Sequence, residues 1–203
     1  GTLDAIAESK GAGAGFYMAG TNARVESGTG MNIEGISNTA DGVSVDFRSQ
    51  VVNKATGNMV LKGSTADTTT GNGVVLATGV IVENASANGG IEITARKGNI
   101  RVNSGAATVT NAGSGAVVLS AGPTLAGDSG GIDGTNLTIT QNGNGGVQVK
   151  TSGTGHVITP KIVNAGTGAV IVAAGTAIGK GDGSGGQVKT AAGNTISQTN
   201  ATP

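Results

Sequence analysis

The sequence predicts an all-β protein, a right-handed parallel β-helix of about six or seven turns of 22–36 residues. Three observations predict it: a glycine-rich composition almost without aromatic residues, short runs of alternating Val and Ile, and near-copies of one segment 53 residues apart. Glycine fills 39 of the 203 positions, threonine 26 and asparagine 17, while the aromatic residues are Phe16, Tyr17 and Phe47. A core of large side chains is thereby excluded, and a helical fold would lose about 1 kcal/mol at each interior glycine. Hydrophobic residues still make up 36% of the chain and the formal net charge is zero, so the composition of a disordered chain is missing too. The chain folds around a thin aliphatic core.

The repeat is explicit. Asn111-Ala-Gly-Ser-Gly-Ala-Val-Val-Leu-Ser-Ala-Gly122 and Asn164-Ala-Gly-Thr-Gly-Ala-Val-Ile-Val-Ala-Ala-Gly175 nearly coincide, and looser copies begin at Asn53, Asn84 and Asn142. These leading asparagines are 31, 27, 31 and 22 residues apart; Ser27 takes the place 26 before Asn53, and Asn200 lies 36 after Asn164. Self-similarity at such periods is the signature of stacked repeat architectures. Variable unit length suits a solenoid, whose insertions bulge from one corner while the strands keep register, better than a propeller. A Greek-key sandwich would leave the near-copies unexplained.

From the N-terminus, Leu3 to Lys10 reads as an irregular start or partial cap that Gly11 to Gly15 cuts off, so residues 1–14 stand apart from repeat turns over 15–199. Each turn then reads strand, asparagine turn, glycine, strand, loop, strand. Val80-Ile-Val82 enters the Asn84 turn, Ile91-Glu-Ile93 leaves it, and Ile100-Arg-Val102 adds an alternating stretch before Val109 and Asn111. Period-two alternation marks a strand with one buried face, and glycine or asparagine at the corners accepts the positive φ that bulkier residues resist. Three short strands cannot bury their inner face alone. Parallel ladders of such strands ~4.8 Å apart do so, and the crossover rule makes the coil right-handed. Val60, Val75, Ile93, Val118, Val149 and Ile171 are expected in its interior.

The leading asparagines Asn53, Asn84, Asn111, Asn142 and Asn164 are expected to stack as a ladder, amide on amide. The plainer reading is that asparagine tolerates a left-handed turn; both readings are structural. At the C-terminus, Thr195 to Pro203 resembles the opening of a further turn, truncated at 200–203, and no amphipathic cap helix is visible. The expectation is one segment, 1–203, sliced from a longer protein.

Charge and targeting exclude several functions. Twelve Lys/Arg balance twelve Asp/Glu without a long run of either sign, which removes the footprint of a nucleic-acid binder. The longest apolar stretch, Ala169 to Ala174, falls far short of the ~20 residues of a bilayer span, so no membrane insertion is expected. No basic-then-apolar signal opens the chain. With zero cysteines there is no disulfide framework, thiolate zinc site or cysteine nucleophile, and no cofactor is expected.

Gly90-Ile-Glu-Ile-Thr-Ala-Arg-Lys-Gly-Asn-Ile-Arg-Val102, followed by Thr110-Asn-Ala-Gly-Ser-Gly-Ala-Val-Val-Leu-Ser-Ala-Gly122, resembles the filamentous-haemagglutinin-like exoproteins of Gram-negative bacteria. The resemblance runs from about Gly15 to Asn200 and rests on a cadence and composition that other secreted β-helices share. It implies a secreted or surface-exposed adhesin rod exported through an outer-membrane partner. The secretion domain that begins such proteins is not recognisable in this sequence.

One constellation offers chemistry. Counted from the leading asparagines, Asp67 lies 14 residues on, Lys97 13, Asp128 17, His156 14 and Asp182 18, which places all five at one corner of successive turns. The insertions 63–72, 122–134 and 175–186 would project there and form a groove. Asp128 and Asp182, two turns apart, would stand roughly 10 Å from each other, near the wide end of the ~6.5–9.5 Å used by inverting glycosidases, with His156 between them. Against this, the polar turns of any solenoid collect such residues, glycine-rich tips position catalytic groups poorly, and the aromatic residues all precede residue 48. His156 by itself reads as a surface turn residue. Asp128 and Asp133 flank Ser129-Gly-Gly131, giving two carboxylates where calcium takes six to eight oxygens. Gly179 to Gly186 lacks the nonapeptide recurrence of calcium-binding rolls, so no metal is expected. An ice-binding threonine array is not expected either, because Thr68-Thr-Thr70 sits in a loop and Thr138-Ile-Thr140 has no counterpart in phase.

The expected function is non-enzymatic display along a rod, extracellular or at the bacterial cell surface, with a host or bacterial receptor or glycan as partner. The alternatives are a carbohydrate-active β-helix enzyme using Asp128 and Asp182, and an extracellular filament subunit that self-associates end to end through unpaired strands.

Overall fold

A computed structural model of the chain describes residues 1–67, 71–122, 130–152, 155–175 and 187–199, and the described residues contain strands, turns and bends but no helix. Strands follow one another in threes. β1 (Leu3–Ser9), β2 (Phe16–Met18) and β3 (Arg24–Ser27) form the first rung; β4 (Met31–Ser37), β5 (Val43–Val45) and β6 (Gln50–Asn53) form the second. β7 (Met59–Thr65), β8 (Val74–Ala77) and β9 (Ile81–Asn84) make the third, and β10 (Ile91–Lys97), β11 (Ile100–Asn103) and β12 (Ala107–Asn111) the fourth. β13 (Val117–Ala121), β14 (Ile132–Asp133) and β15 (Leu137–Gln141) are the fifth rung; β16 (Val147–Thr151), β17 (Val157–Thr159) and β18 (Lys161–Asn164) are the sixth. β19 (Val170–Ala173), β20 (Val188–Thr190) and β21 (Ile196–Gln198) complete the seventh. The first strands of all rungs pair in one seven-stranded parallel sheet, the second strands in another and the third strands in a third, so the chain is a β-solenoid.

Alternation decides which side chains enter the coil. On the first sheet Ile33, Leu61, Ile93, Leu119 and Val149 lie in register one above another, each fully buried. Val43, Val74, Ile100, Ile132 and Val157 do the same on the second sheet. Val51, Val82, Val109, Ile139 and Ile162 form the third column. The core is therefore aliphatic and one side chain deep on each wall, as the composition predicts.

Where the first sheet turns into the second the walls come too close for a side chain. Gly35 and Gly63 are register partners, and a Cβ on either would be driven into a carbonyl, that of Gly42 or of Gly73. The next rung places Ala95, the smallest side chain, at that level. Glycines in the turn from the third sheet to the first are crowded too, Gly89, Gly113, Gly143 and Gly166 each against a glycine carbonyl of the preceding rung, so close backbone approach rather than flexibility accounts for them.

The amide ladder exists with one member changed. Register runs Ser27, Asn53, Asn84, Asn111, Gln141, Asn164, Gln198, and Asn142 is the exposed neighbour of the true position. The shift follows from alternation: Leu137 and Ile139 face inward, so residue 141 does too. The amides are partly stacked on each other and partly turned onto the corner backbone. Asn53 Nδ2 donates to Asn84 Oδ1 at 3.0 Å and Asn111 Nδ2 to Gln141 Oε1 at 2.8 Å. Asn84 instead donates to the Gly90 carbonyl at 2.9 Å, and Asn164 to that of Gly168 at 2.6 Å. Asn111 Oδ1 is buried without a partner.

Three further expectations are corrected. Leu3 to Ser9, expected as an irregular start or cap, is β1, a full strand paired along its length with β4. Ile93 and Val149 are in the interior as expected; Val75 is buried but shares the outward register of Ser44 and Arg101, between inward Val74 and Leu76. Val60 and Val118 face outward and Ile171 is 48% exposed, while their neighbours Leu61 and Leu119 fill the interior. Thr138 and Thr140 do have counterparts in phase, Thr108 and Thr110, one rung away. That match covers two rungs only, since Ile81 and Glu83 precede it and Lys161 and Val163 follow.

Candidate functional site

The connections from the first sheet to the second hold the residues singled out by offset counting. Asp67 is half-buried between β7 and β8, and its carbonyl accepts the Thr65 hydroxyl at 3.1 Å. Lys97 is the last residue of β10, paired out of step with Ser64 across a bulge after Ala95, so it belongs to a strand end and not to a loop tip. His156 is exposed immediately before β17. Asp128 and Asp182 lie outside the described residues, and with them the carboxylate pair of the enzymatic alternative. Of the five, His156 is the one around which a concave site is described, and neither Asp67 nor Lys97 lines it.

That site lies on the outer face of the second sheet. Ile100, Ile132 and Val157 point into the core from adjacent rungs, so the residues on either side of each point out. The result is a grid of two columns: Asn99, Gly131 and His156 precede the inward residues, and Arg101, Asp133 and Ile158 follow them. Five of the six positions carry a side chain and the middle of the first column carries none. The space over Gly131 is a depression of about 260 Å³, framed by the other five and by Asn72.

Hydrogen bonds along the rungs fix the frame. Asp41 Oδ1 accepts the Asn72 backbone N–H at 2.8 Å and its side-chain amide at 3.0 Å. Asn72 Oδ1 accepts from Asn99 Nδ2 at 3.5 Å, and Asn99 Oδ1 accepts the Gly131 N–H at 2.7 Å. His156 Nδ1 accepts the Gln187 N–H at 2.9 Å. A ring nitrogen that accepts carries no proton, so the neutral imidazole holds its hydrogen on Nε2, the remaining donor. Asp133 Oδ1 closes its own turn by accepting the N–H and hydroxyl of Thr135 at 3.1 and 2.7 Å. Arg101 is exposed and makes no ion pair among the described residues.

The aromatic residues gather elsewhere. Tyr17, 57% exposed on β2, donates its hydroxyl to Asp46 Oδ2 at 3.0 Å, and the Arg48 guanidinium sits 4.7 Å from the Phe47 ring centre. The Phe47 N–H, the Tyr17 hydroxyl and the Gly20 N–H together hold the Asp46 carboxyl below its ordinary range, and the same carboxylate raises the Tyr17 phenol.

Sequence reasoning singled out His156 as a groove candidate and weighed Asp133 only in a calcium reading that it set aside; it did not bring either together with Asn99, Arg101 and Ile158. The available signal was the alternation Asn99-Ile-Arg-Val102 set beside Gly131-Ile-Asp133 and His156-Val-Ile158. No family model, curated protein or solved structure matches this chain.

Proposed function

We propose that this chain is a structural display rod of a secreted or surface-exposed bacterial adhesin, non-enzymatic, acting by contact with a cell surface. The observation that carries the reading is the division of labour between the two sides of each strand. Inward positions of the inner rungs are closed one after another by aliphatic side chains, with buried amides in register from Asn53 to Asn164, while Val188 and Ile196 at the inward register of the last rung stand half-exposed. The outward positions are free of that demand and vary from rung to rung, as Asp4, Asn32, Val60, Glu92, Val118, Gln148 and Ile171 do along one column. Six strand spacings make this a surface about 30 Å long, a stiff support whose outer chemistry changes without altering the fold.

Beads coated with the folded chain test the reading against beads coated with heat-unfolded chain, on cultured epithelial cells and on bacteria. Retention of the folded coating above the unfolded one is expected; equal retention overturns it. A panel of bacterial and plant polysaccharides, followed by size-exclusion chromatography, is expected to keep its polymer length. Shortening that disappears in Asp128→Asn or Asp182→Asn would replace display by catalysis.

A further inference from the structure

We propose that the depression over Gly131 is a binding site for a single neutral hexose ring of a surface glycan, a reading that rests on the display function and names its ligand.

The missing side chain is the first argument. At Gly35 and Gly63 the fold forbids a Cβ outright, whereas at Gly131 a Cβ would come no closer than 3.3 Å, to Asn99 Oδ1, and 3.4 Å, to the His156 carbonyl. Gly131 is not among the residues with positive φ. Backbone conformation does not require glycine here, and a Cβ would ask only a few tenths of an ångström of Asn99 Oδ1, far less than at Gly35 or Gly63; the effect of the glycine is to leave open the middle of a grid whose other five positions are filled.

Size and chemistry select the ligand. Pockets for drug-sized molecules hold roughly 300–1,000 Å³, so about 260 Å³ admits one ring and not an extended chain. The rim offers the Arg101 guanidinium and His156 Nε2–H as donors and the Asp133 carboxylate as acceptor, with Ile158 as an apolar wall. Formal charges in the rim cancel. An anion would meet Asp133, a cation would meet Arg101, and an apolar body would desolvate all three polar groups without repaying them. Neighbouring hydroxyls on a sugar ring donate and accept at once, and the C–H face of the ring lies against Ile158. The site takes a neutral polyol of one ring.

The test is an NMR titration of the full ¹⁵N-labelled chain with methyl glucoside, methyl galactoside and methyl mannoside, and with glucuronate as the charged arm. At least one neutral glycoside is expected to shift the amides of Gly131, Ile132, Asp133 and Ile158, with weak affinity of the order of 1 mM. Gly131→Val fills the depression and Arg101→Ala removes a donor; each is expected to lower affinity at least tenfold while the remaining spectrum and the thermal midpoint stay unchanged. Because Arg101 is exposed and makes no ion pair among the described residues, its variant keeps the test valid if Gly131→Val unfolds. Four results overturn the proposal: no shift with any neutral glycoside, affinity that survives the folded variants, shifts confined to Tyr17 and Phe47, or glucuronate binding more tightly than glucoside. Cell retention of the parent chain with no glycoside shift at these amides would sink the hexose site and leave display standing. Glycoside binding without cell retention would do the reverse.

Discussion

Replacing Asn53 by alanine tests what the amide ladder contributes. Asn53 is fully buried and makes four hydrogen bonds: Oδ1 accepts the Gly30 N–H at 3.1 Å, and Nδ2 donates to Thr56 O, Gly57 O and Asn84 Oδ1, each at 3.0 Å. In Asn53→Ala, Asn84 Oδ1 keeps the Ser86 N–H at 3.1 Å, Gly57 O keeps Asn84 Nδ2 at 3.4 Å, and the exposed Thr56 carbonyl turns to water. The buried Gly30 N–H has no such substitute. One orphaned buried donor costs about 1–3 kcal/mol, and the loss of the other bonds brings the total to about 2–4 kcal/mol. For a chain of this length that lowers the thermal midpoint by roughly 5–15 °C. Asn111→Ala should cost less, about 1–3 kcal/mol: the buried Gln141 Oε1 loses its donor, but Gln141 Nε2 still reaches Gly113 O and Gly115 O at 2.9 and 3.1 Å and the partnerless Asn111 Oδ1 disappears. Asn142→Ala, at an exposed position, should stay within about 0.5 kcal/mol. Thermal unfolding followed by far-ultraviolet circular dichroism orders the three. Equal midpoints for Asn53→Ala and Asn142→Ala would refute the reasoning, and a larger loss at Asn111 than at Asn53 would refute the hydrogen-bond count behind it.

Gly63→Ala forces a Cβ against the Gly73 carbonyl and is expected to cost about 3 kcal/mol or more, whereas Gly28→Ala meets open space and should unfold within a few degrees of the parent; similar midpoints would contradict the tight corner. Leu119→Ala opens a cavity in a fully buried column and should cost about 2–5 kcal/mol, while its outward neighbour Val118→Ala should cost under about 1 kcal/mol; urea titrations of the two variants decide the register. Glu26 is held below its ordinary range by hydrogen bonds from Lys54 and Arg24. Its contribution is therefore present above the unfolded carboxylate value and is lost as pH falls through the depressed folded one. Acid unfolding should be steeper in the parent than in Glu26→Gln, and the opposite order would show that the pairing is absent in solution.

The repeat made the solenoid legible because near-copies at Asn111 and Asn164 leave few alternatives for a glycine-rich aliphatic chain. What the repeat could not deliver was register at the single-residue level. Where an inward residue is flanked by another aliphatic, as in Val60-Leu61, Val118-Leu119 and Val170-Ile171-Val172, polarity does not say which one points in. One slip also explains two errors. Taking Asn142 as the ladder residue placed Thr140 two positions before the ladder and Thr110 one before it, which concealed their pairing; with Gln141 in the ladder both precede it by one. The cue was present in Leu137-Thr-Ile-Thr-Gln141, whose alternation fixes residue 141 as inward, but amide identity at Asn142 outweighed it.

The same physics explains why the candidate site was only partly visible. A solenoid repeats what the core requires, so periodicity reports inward residues and says little about outward ones. Asn99, Gly131 and His156 become neighbours through rungs 32 and 25 residues apart, a spacing that varies with each insertion and leaves no period to detect. The feature that shapes the site is moreover an absent side chain in a chain with 39 glycines. Only the structure separates a glycine that the fold demands, such as Gly63, from one that it merely permits. An outward glycine of the permitted kind, such as Gly131, opens space on the surface and leaves the core intact, which is why the proposed site falls there.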